Sequence, residues 1–245
     1  MSLVMKKKTV IIIIAVVVVL LISVAEAFIA GIQAACYQAQ DVALEALVSD
    51  DEVSVTATED YIFFDGSGTD KALVFYPGAF VDADAYAPLM RELAASGTDC
   101  FVVWMPFDFA LLNTKKADAI MDSFGYDSWY LGGHSLGGVA AGNFCSNNLD
   151  RIDGLLLLGS YSVDPVNTKE DFKVVSLYGT LDTVLDHEAM KESRGNLPAE
   201  ITEVEIQGGN HAQFGDYGFQ EGDSEATITA AEQIQIVVDA WNEAV

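Results

Sequence analysis

The chain has 245 residues, which is enough for one domain with a sizeable hydrophobic core. Its 37 acidic residues outnumber its 12 basic ones, so the net charge is −25 and no basic surface is available to follow a nucleic-acid backbone. We therefore expect no nucleic-acid partner. The cysteines Cys36, Cys100 and Cys145 form neither a C-x-x-C motif nor a metal-ligand spacing, so the sequence predicts no metal site.

The N-terminal segment is apolar and follows three lysines, Lys6-Lys7-Lys8. Val10–Leu21 contains only Ile, Val, Leu and one Ala, and the apolar character continues with little interruption to Ile32. At about 1.5 Å per helical residue, a helix of this length exceeds the ~30 Å hydrocarbon core of a bilayer. We interpret residues 1–35 as an uncleaved membrane anchor with its lysines in the cytoplasm, which places the following domain outside.

Two alternatives stay open for this segment. A cleaved signal peptide would use the A-x-A-like site Ala25-Glu26-Ala27 and release a secreted domain. A lipoprotein would carry its lipid on Cys36, but Gln33 occupies a position that needs a small or aliphatic residue. We expect the domain to lie outside the cytoplasm in each case.

The remaining chain alternates between strand and helix patterns. We expect residues 36–52, with a short helical pattern and an acidic end, to be a spacer before a domain over residues 53–245. An alternating pattern over Val53–Ala57 and Tyr61–Phe64 predicts a hairpin. Further predicted strands are Ala72–Tyr76, Cys100–Trp104, Trp129–Leu131, Gly154–Leu158, Val174–Tyr178 and Thr202–Ile206. Predicted helices between and after them are Asp84–Ala95, Thr114–Phe124, Leu136–Asn147, Asp186–Arg194 and Thr227–Trp241. This alternation indicates an α/β fold, with a mostly parallel sheet and helices on both faces.

The stretch Gly133-His134-Ser135-Leu136-Gly137 fits the G-x-S-x-G pattern of a nucleophile elbow. It follows a predicted strand and precedes a predicted helix, which is the context that such an elbow requires. A glycine-rich phosphate loop is the alternative, but the stretch lacks G-K-[ST], and the next strand ends in Gly159 instead of the acidic residue of a dinucleotide site. The sequence therefore favours Ser135 as a nucleophile and predicts no cofactor.

A serine nucleophile needs a base, and the chain contains three histidines. His134 is adjacent to Ser135, where neighbouring side chains diverge, and His187 begins a predicted helix. His211 lies in a loop directly after the last predicted strand. Because the carboxyl ends of parallel strands gather at one edge of a sheet, His211 is expected at the same edge as Ser135, and we predict that it is the base.

The imidazole also needs a carboxylate that fixes its tautomer. Asp182 follows a predicted strand and is expected at the same edge. Asp186, at the start of the next predicted helix, and Asp216, just beyond His211, are alternatives. The order Ser135, Asp182, His211 matches the chain order of the triad in one particular fold, so we predict Asp182.

The oxyanion of an acyl-transfer reaction needs two backbone N–H donors. Leu136, directly after the nucleophile, is expected to supply one of them. The other is expected from the loop after the strand Ala72–Tyr76, where we predict Ala79, with Phe80 as the alternative.

These motifs together resemble the α/β-hydrolase superfamily, and in particular small bacterial members without a cap domain, similar to esterases and dienelactone hydrolases. The stretches that carry the resemblance are YPGAFVDADAYAPL, MPFDFA, GGHSLGGVAAG, SLYGTLD and GGNHAQFGDYG, and it covers roughly residues 60–245. It implies an eight-stranded sheet, a Ser135–Asp182–His211 triad, an acyl-enzyme and, commonly, an N-terminal membrane tether. Ala79 departs from the pattern, in which a second glycine is more usual.

The expected activity is hydrolysis of a carboxylic ester by a serine hydrolase. Only about a dozen residues, 160–172, separate two predicted strands at the usual place of a cap, so we expect an open site and a small or flexible acyl ester as substrate. We expect the acidic segment Phe214–Ala226 to be a solvated loop, with a cation site as the alternative. An acyltransferase or peptidase acting on envelope material, and a noncatalytic binding module on the same fold, are the alternative functions.

Overall fold

The computed structural model describes residues 17–24, 30–31 and 35–245. Contacts divide the chain into two units, Met1–Cys36 and Tyr37–Val245. In the first unit residues 17–24 are helical, and none of the helices in the described ranges has the length and apolar character that crossing a membrane requires. The lysines and most of the predicted anchor lie outside the described residues.

The second unit is built on one eight-stranded sheet, so the predicted α/β fold is confirmed. Its strands are β1 (Ser54–Ala57), β2 (Tyr61–Asp65), β3 (Lys71–Tyr76), β4 (Asp99–Val103), β5 (Ser128–His134), β6 (Gly154–Leu158), β7 (Lys173–Gly179) and β8 (Thr202–Ile206). Their order in the sheet is β1-β2-β4-β3-β5-β6-β7-β8. The pairs β1–β2 and β2–β4 are antiparallel and the other pairs are parallel, which matches the expected mostly parallel sheet.

Helices cover both faces of this sheet. The α-helices of the second unit are α1 (Asp41–Ala46), α2 (Ala87–Ala95), α3 (Lys116–Ser123), α4 (Leu136–Asn147), α5 (His187–Ser193) and α6 (Ala230–Ala244). Buried side chains of α2 and α6 share one hydrophobic layer, and those of α3 and α4 share the other. Strand β3 contributes side chains to both layers. Leu73 and Phe75 pack in the first layer, and Val74 and Tyr76 pack in the second.

Strand β5 is longer at its carboxyl end than the sequence indicated. The glycines predicted to form a turn continue the strand, because Gly132 and Gly133 pair with Phe75 and Tyr76 of β3 on one side and with β6 on the other. A Cβ on Gly132 would lie 3.0 Å from Leu156, so a larger residue would crowd the neighbouring strand. The turn itself is confined to Ser135.

The connection between β6 and β7 is short. Residues 159–172 of the described chain contain neither a helix nor a strand, in agreement with the expected absence of a large cap domain. The carboxyl edge of the sheet is therefore not covered by an inserted domain at this point.

Residues 37–52, predicted as a spacer with a short helix, contain α1 and contact the rest of the second unit. The N–H of Gln40 donates to the carbonyl of Asp216 at 2.9 Å, and the N–H of Ala43 donates to its carboxylate at 2.8 Å. The guanidinium of Arg91 donates to the carbonyl of Ala46 at 2.9 Å and to the carboxylate of Asp50 at 2.7 Å. These partners are distant in sequence, so the local pattern of residues 37–52 did not indicate them.

The chain enters the second unit beside the loop that follows β3. The N–H of Tyr37 donates to the carbonyl of Phe80 at 2.7 Å, and the N–H of Asp82 donates to the carbonyl of Tyr37 at 3.0 Å. These bonds form an isolated parallel bridge between Tyr37 and Val81.

Candidate active site

Ser135 lies at a strained turn between β5 and α4. Its φ of 52° and ψ of −126° are costly for a residue with a side chain, and such strain concentrates at functional sites. Two hydrogen bonds hold this conformation. The N–H of Ser135 donates to the carbonyl of Leu158 at 3.0 Å, and the hydroxyl of Ser160 donates to the carbonyl of Ser135 at 2.6 Å.

The turn at Ser135 needs glycine at positions 133 and 137, because the neighbouring backbone leaves no space for a side chain there. A Cβ on Gly133 would lie 2.3 Å from the carbonyl carbon of Gly137, and one on Gly137 would lie 2.1 Å from the carbonyl oxygen of Tyr76. The close approach of Gly137 to Tyr76 brings the loop after β3 against the start of α4.

Asp182 and His211 form the hydrogen-bonded pair that their chain order predicted. Nδ1 of His211 lies 2.8 Å from Oδ2 of Asp182, and both residues are buried. The other carboxylate oxygen of Asp182 accepts the N–H of Val184 at 3.0 Å and that of Leu185 at 2.8 Å. These bonds fix the carboxylate, which in turn orients the imidazole.

The opposite nitrogen of His211 is unengaged. Its Nε2 atom is buried and has no hydrogen-bond partner among the described residues, Ser135 included. The His211 ring centroid lies 4.4 Å from that of His134, the residue that precedes Ser135. The structure thus brings Ser135, Asp182 and His211 to one edge of the sheet, with a direct bond between the last two.

His134 belongs to a buried network with Tyr86 and Gly78. The hydroxyl of Tyr86 accepts the N–H of Gly78 at 2.9 Å and lies 2.9 Å from Nδ1 of His134. Tyr86 therefore links the loop after β3 to His134. Burial, followed by the nearby His211, holds the pKa of His134 well below its usual value.

The predicted oxyanion donors can be compared by where their N–H groups point. The N–H of Phe80 donates to the carbonyl of Asp108 at 2.7 Å and that of Gly78 to Tyr86, so neither is available. The N–H groups of Ala79 and Leu136 have no acceptor among the described residues. Ala79 and Leu136 are therefore the available pair, and the alternative Phe80 is not.

The alternative acid and base residues serve other contacts. The carboxylate of Asp186 caps α5 by accepting the N–H groups of Glu188 and Ala189. Asp216 binds the segment that contains α1. The imidazole Nε2 of His187 lies 3.0 Å from the backbone carbonyl oxygen of Asp182, and not at its carboxylate.

Asp223 is a site residue that the sequence did not indicate. The segment Phe214–Ala226 was expected to be solvated, yet Asp223 within it is buried. One of its carboxylate oxygens accepts the N–H of Ala212 at 2.9 Å, and the other accepts the N–H of Thr183 at 3.3 Å. It thereby joins the loop that carries His211 to the loop that carries Asp182. An aspartate in a polar, glycine-rich loop carries no sequence signal that distinguishes it from a solvated one.

The site contains no group that suggests a metal. Among the residues that the structure describes, no cluster of three or more His, Cys, Asp or Glu side chains could hold a metal ion.

Comparison with solved structures places this fold in a known class. The chain is similar to a dienelactone hydrolase from Anabaena variabilis (TM-score 0.59, 12% identity, 79% of this chain and 99% of that one). It is also similar to a ferulic acid esterase from Streptomyces cinnamoneus (TM-score 0.60, 15% identity, 72% and 66% covered). A third similar structure is Est1E from Butyrivibrio proteoclasticus (TM-score 0.54, 14% identity, 79% and 98% covered). At these identities the likeness concerns the fold.

Residues 72–235 match the model of the alpha/beta hydrolase family. The chain belongs to this family, as its resemblance at the sequence level predicted. Family membership supports hydrolase activity.

Proposed function

We propose that the protein is a serine esterase that cleaves a small carboxylic ester through an acyl-enzyme. The observation that carries the proposal is the buried Asp182–His211 pair, whose free Nε2 lies at the edge that holds the strained Ser135. The esterase and dienelactone hydrolase named above support the ester class by analogy of fold.

In the proposed reaction His211 acts first as a base. The Ser135 hydroxyl attacks the ester carbonyl while Nε2 of His211 takes its proton, and Asp182 stabilises the imidazolium that forms. The developing oxyanion accepts the N–H groups of Ala79 and Leu136. His211 then gives the proton to the departing alcohol, and water releases the acid by the same steps in reverse.

The first test measures hydrolysis of aryl esters by the full chain and labelling of Ser135 by a fluorophosphonate. We expect Ser135→Ala and His211→Ala each to lower kcat by about 10³-fold or more, because members of a triad act as a unit. Ser123→Ala is the matched control, since Ser123 is exposed and bonds only the carbonyl of Ala119, and its activity should stay within about twofold.

Absence of both turnover and labelling would contradict the proposal and leave a noncatalytic binding module. Labelling without hydrolysis would favour an acyltransferase or peptidase, the second use of the same residues. An added alcohol or amine that outcompetes water for the acyl-enzyme would identify the transferase.

We also propose that the domain is tethered to the cell membrane and faces outward. The support comes from sequence: Lys6-Lys7-Lys8 precede the apolar run Val10–Leu21. Fractionation of cells that express the full chain, followed by external protease treatment, tests both parts. A full-length protein found in the soluble cytoplasmic fraction would rule the tether out.

A further inference from the structure

An apolar rim lies at the carboxyl ends of β3 and β4. It consists of Phe80, Phe107, Leu111 and Leu112, whose exposed fractions are 37%, 48%, 43% and 58%. Single exposed apolar side chains are common on protein surfaces, but a group of large ones indicates a binding surface.

The backbone of this rim is held in a costly conformation. Phe80, Phe107 and Asp108 have φ values of 58°, 56° and 50°, a region that residues with side chains rarely adopt. The bond from the Phe80 N–H to the Asp108 carbonyl ties the two loops together, and the Phe80 and Phe109 rings lie 5.6 Å apart. Backbone strain of this kind concentrates at catalytic and ligand-binding sites, which supports a binding role for the exposed Phe80 and Phe107.

The rim continues directly into the proposed catalytic site. Phe80 follows Ala79, the available oxyanion donor. The short helix Ala110–Leu112 packs against α4, the helix that begins directly after Ser135. The rim therefore adjoins the proposed oxyanion donor and the helix that follows Ser135.

The order of strands indicates which part of the ester lies there. His211 must protonate the departing alcohol, and it follows β8, on one side of β5 in the sheet. The rim follows β3 and β4, on the other side of β5. The alcohol therefore leaves toward β8, and the acyl chain extends toward the rim.

We propose that the rim binds the acyl chain of the substrate, so that the preferred esters carry a hydrophobic acyl group substantially longer than acetyl. This inference rests on the proposed serine esterase function. The rim is open to solvent, so it suits a flexible aliphatic chain that lies along a surface.

The test compares p-nitrophenyl acetate, butyrate and octanoate, which share one leaving group, in the full chain. Wild type should show kcat/KM rising by about tenfold or more from acetate to octanoate, since each buried methylene adds a favourable transfer free energy. Leu112→Ala and Phe107→Ala should each lower kcat/KM for octanoate by about 5- to 10-fold and leave acetate within about twofold. Leu44→Ala removes a leucine of α1 that is 50% exposed and should change kcat/KM for neither substrate.

A second series of acetate esters with lengthening alcohols keeps the acyl group constant. Rim variants should leave this series unchanged, and a loss confined to it would overturn the assignment of the acyl chain to the rim. Acetate turnover without any gain from chain length would also overturn the inference while leaving the esterase function intact. If no ester is hydrolysed and the fluorophosphonate does not label Ser135, both the serine esterase function and the binding of an acyl chain on the rim are contradicted.

Discussion

At the scale of single residues, His134 lies beside the proposed nucleophile Ser135 and has a role that needs no proton transfer. It is fully buried, and its low pKa keeps it neutral beside His211, which has to become charged in the proposed reaction. A second charged imidazole at a centroid distance of 4.4 Å would oppose that charge. Through Tyr86, His134 is also linked to Gly78, the neighbour of the proposed oxyanion donor Ala79.

Replacing Tyr86 by phenylalanine tests this positioning role. Tyr86→Phe leaves the N–H of Gly78 and Nδ1 of His134 without partners, so we expect a loss of about 1–3 kcal/mol in the free energy of unfolding. We also expect kcat for ester hydrolysis to fall about 10-fold with KM nearly unchanged, because the loop of residues 77–80, which carries the proposed donor Ala79 and is here called the oxyanion loop, is displaced. Urea unfolding and steady-state kinetics measure the two effects.

Tyr126→Phe is the matched control. It removes a hydroxyl that donates to Asp99 at 2.6 Å, away from the site. It should lower stability and leave kcat unchanged. If both variants lose activity in proportion to stability, Tyr86 has no positioning role.

Asp84 makes folding stability depend on pH. Burial, and then the charge of Asp82, raise the pKa of Asp84 from 3.8 to about 6. The folded protein therefore holds more protons than the unfolded chain between these values, so the free energy of unfolding falls as pH rises from about 4 to 6. Asp84 is partly exposed, and solvent screening limits this contribution to roughly 1 kcal/mol.

Asp84→Asn should remove that contribution. We expect the variant to be more stable than wild type at pH 7 by roughly 1 kcal/mol and equally stable near pH 4. Thermal unfolding across this range measures the difference. A difference that is constant with pH would show that Asp84 does not titrate as described.

At the scale of elements, the site depends on loops that are joined to one another. Asp223 connects the loop after β7, with Asp182, to the loop after β8, with His211. It also accepts the N–H of Ser224 at 2.9 Å. One buried carboxylate therefore fixes three backbone groups around the proposed acid–base pair.

We expect Asp223→Ala to lower kcat about 10- to 100-fold, because the unpaired N–H groups of Ala212 and Thr183 let the two loops separate. Steady-state kinetics should show the loss in kcat more than in KM. Asp186→Ala removes a carboxylate that also accepts two backbone N–H groups, at the start of α5, and should cost about 1 kcal/mol of stability without loss of activity. Equal losses of activity in both variants would contradict the role of Asp223.

At the scale of the whole molecule, local patterns predicted most of the fold. Each predicted strand is present. Buried parallel strands such as Gly154–Leu158 have continuous apolar sequences, and half-buried strands such as Tyr61–Asp65 alternate between buried and more exposed residues. The position of Ser135, Asp182 and His211 at one edge was also predicted, because the carboxyl ends of parallel strands lie at the same edge of a sheet. The packing of residues 37–52 and the burial of Asp223 were not, since both depend on partners that are distant in sequence.

The chain enters the second unit at Tyr37, whose backbone bonds to Phe80 and Asp82 hold the loop after β3. Tyr37→Pro removes the N–H that donates to the carbonyl of Phe80, so we expect kcat/KM for ester hydrolysis to fall about 5-fold as the oxyanion loop loosens. Tyr37→Phe keeps this backbone bond and should retain full activity. Activity that is unchanged in Tyr37→Pro would show that the loop does not need the bridge.

The bridge between Tyr37 and Val81 also affects how the domain would respond to mechanical tension. Tension applied at Tyr37 loads its two backbone bonds, with Phe80 and Asp82, which lie outside the ladders of the central sheet. We infer that force displaces the oxyanion loop before any strand separates, which activity recorded on stretched single molecules would test. A tethered domain of this design would lose catalysis under load while its sheet stayed folded, and would regain catalysis when the load was released.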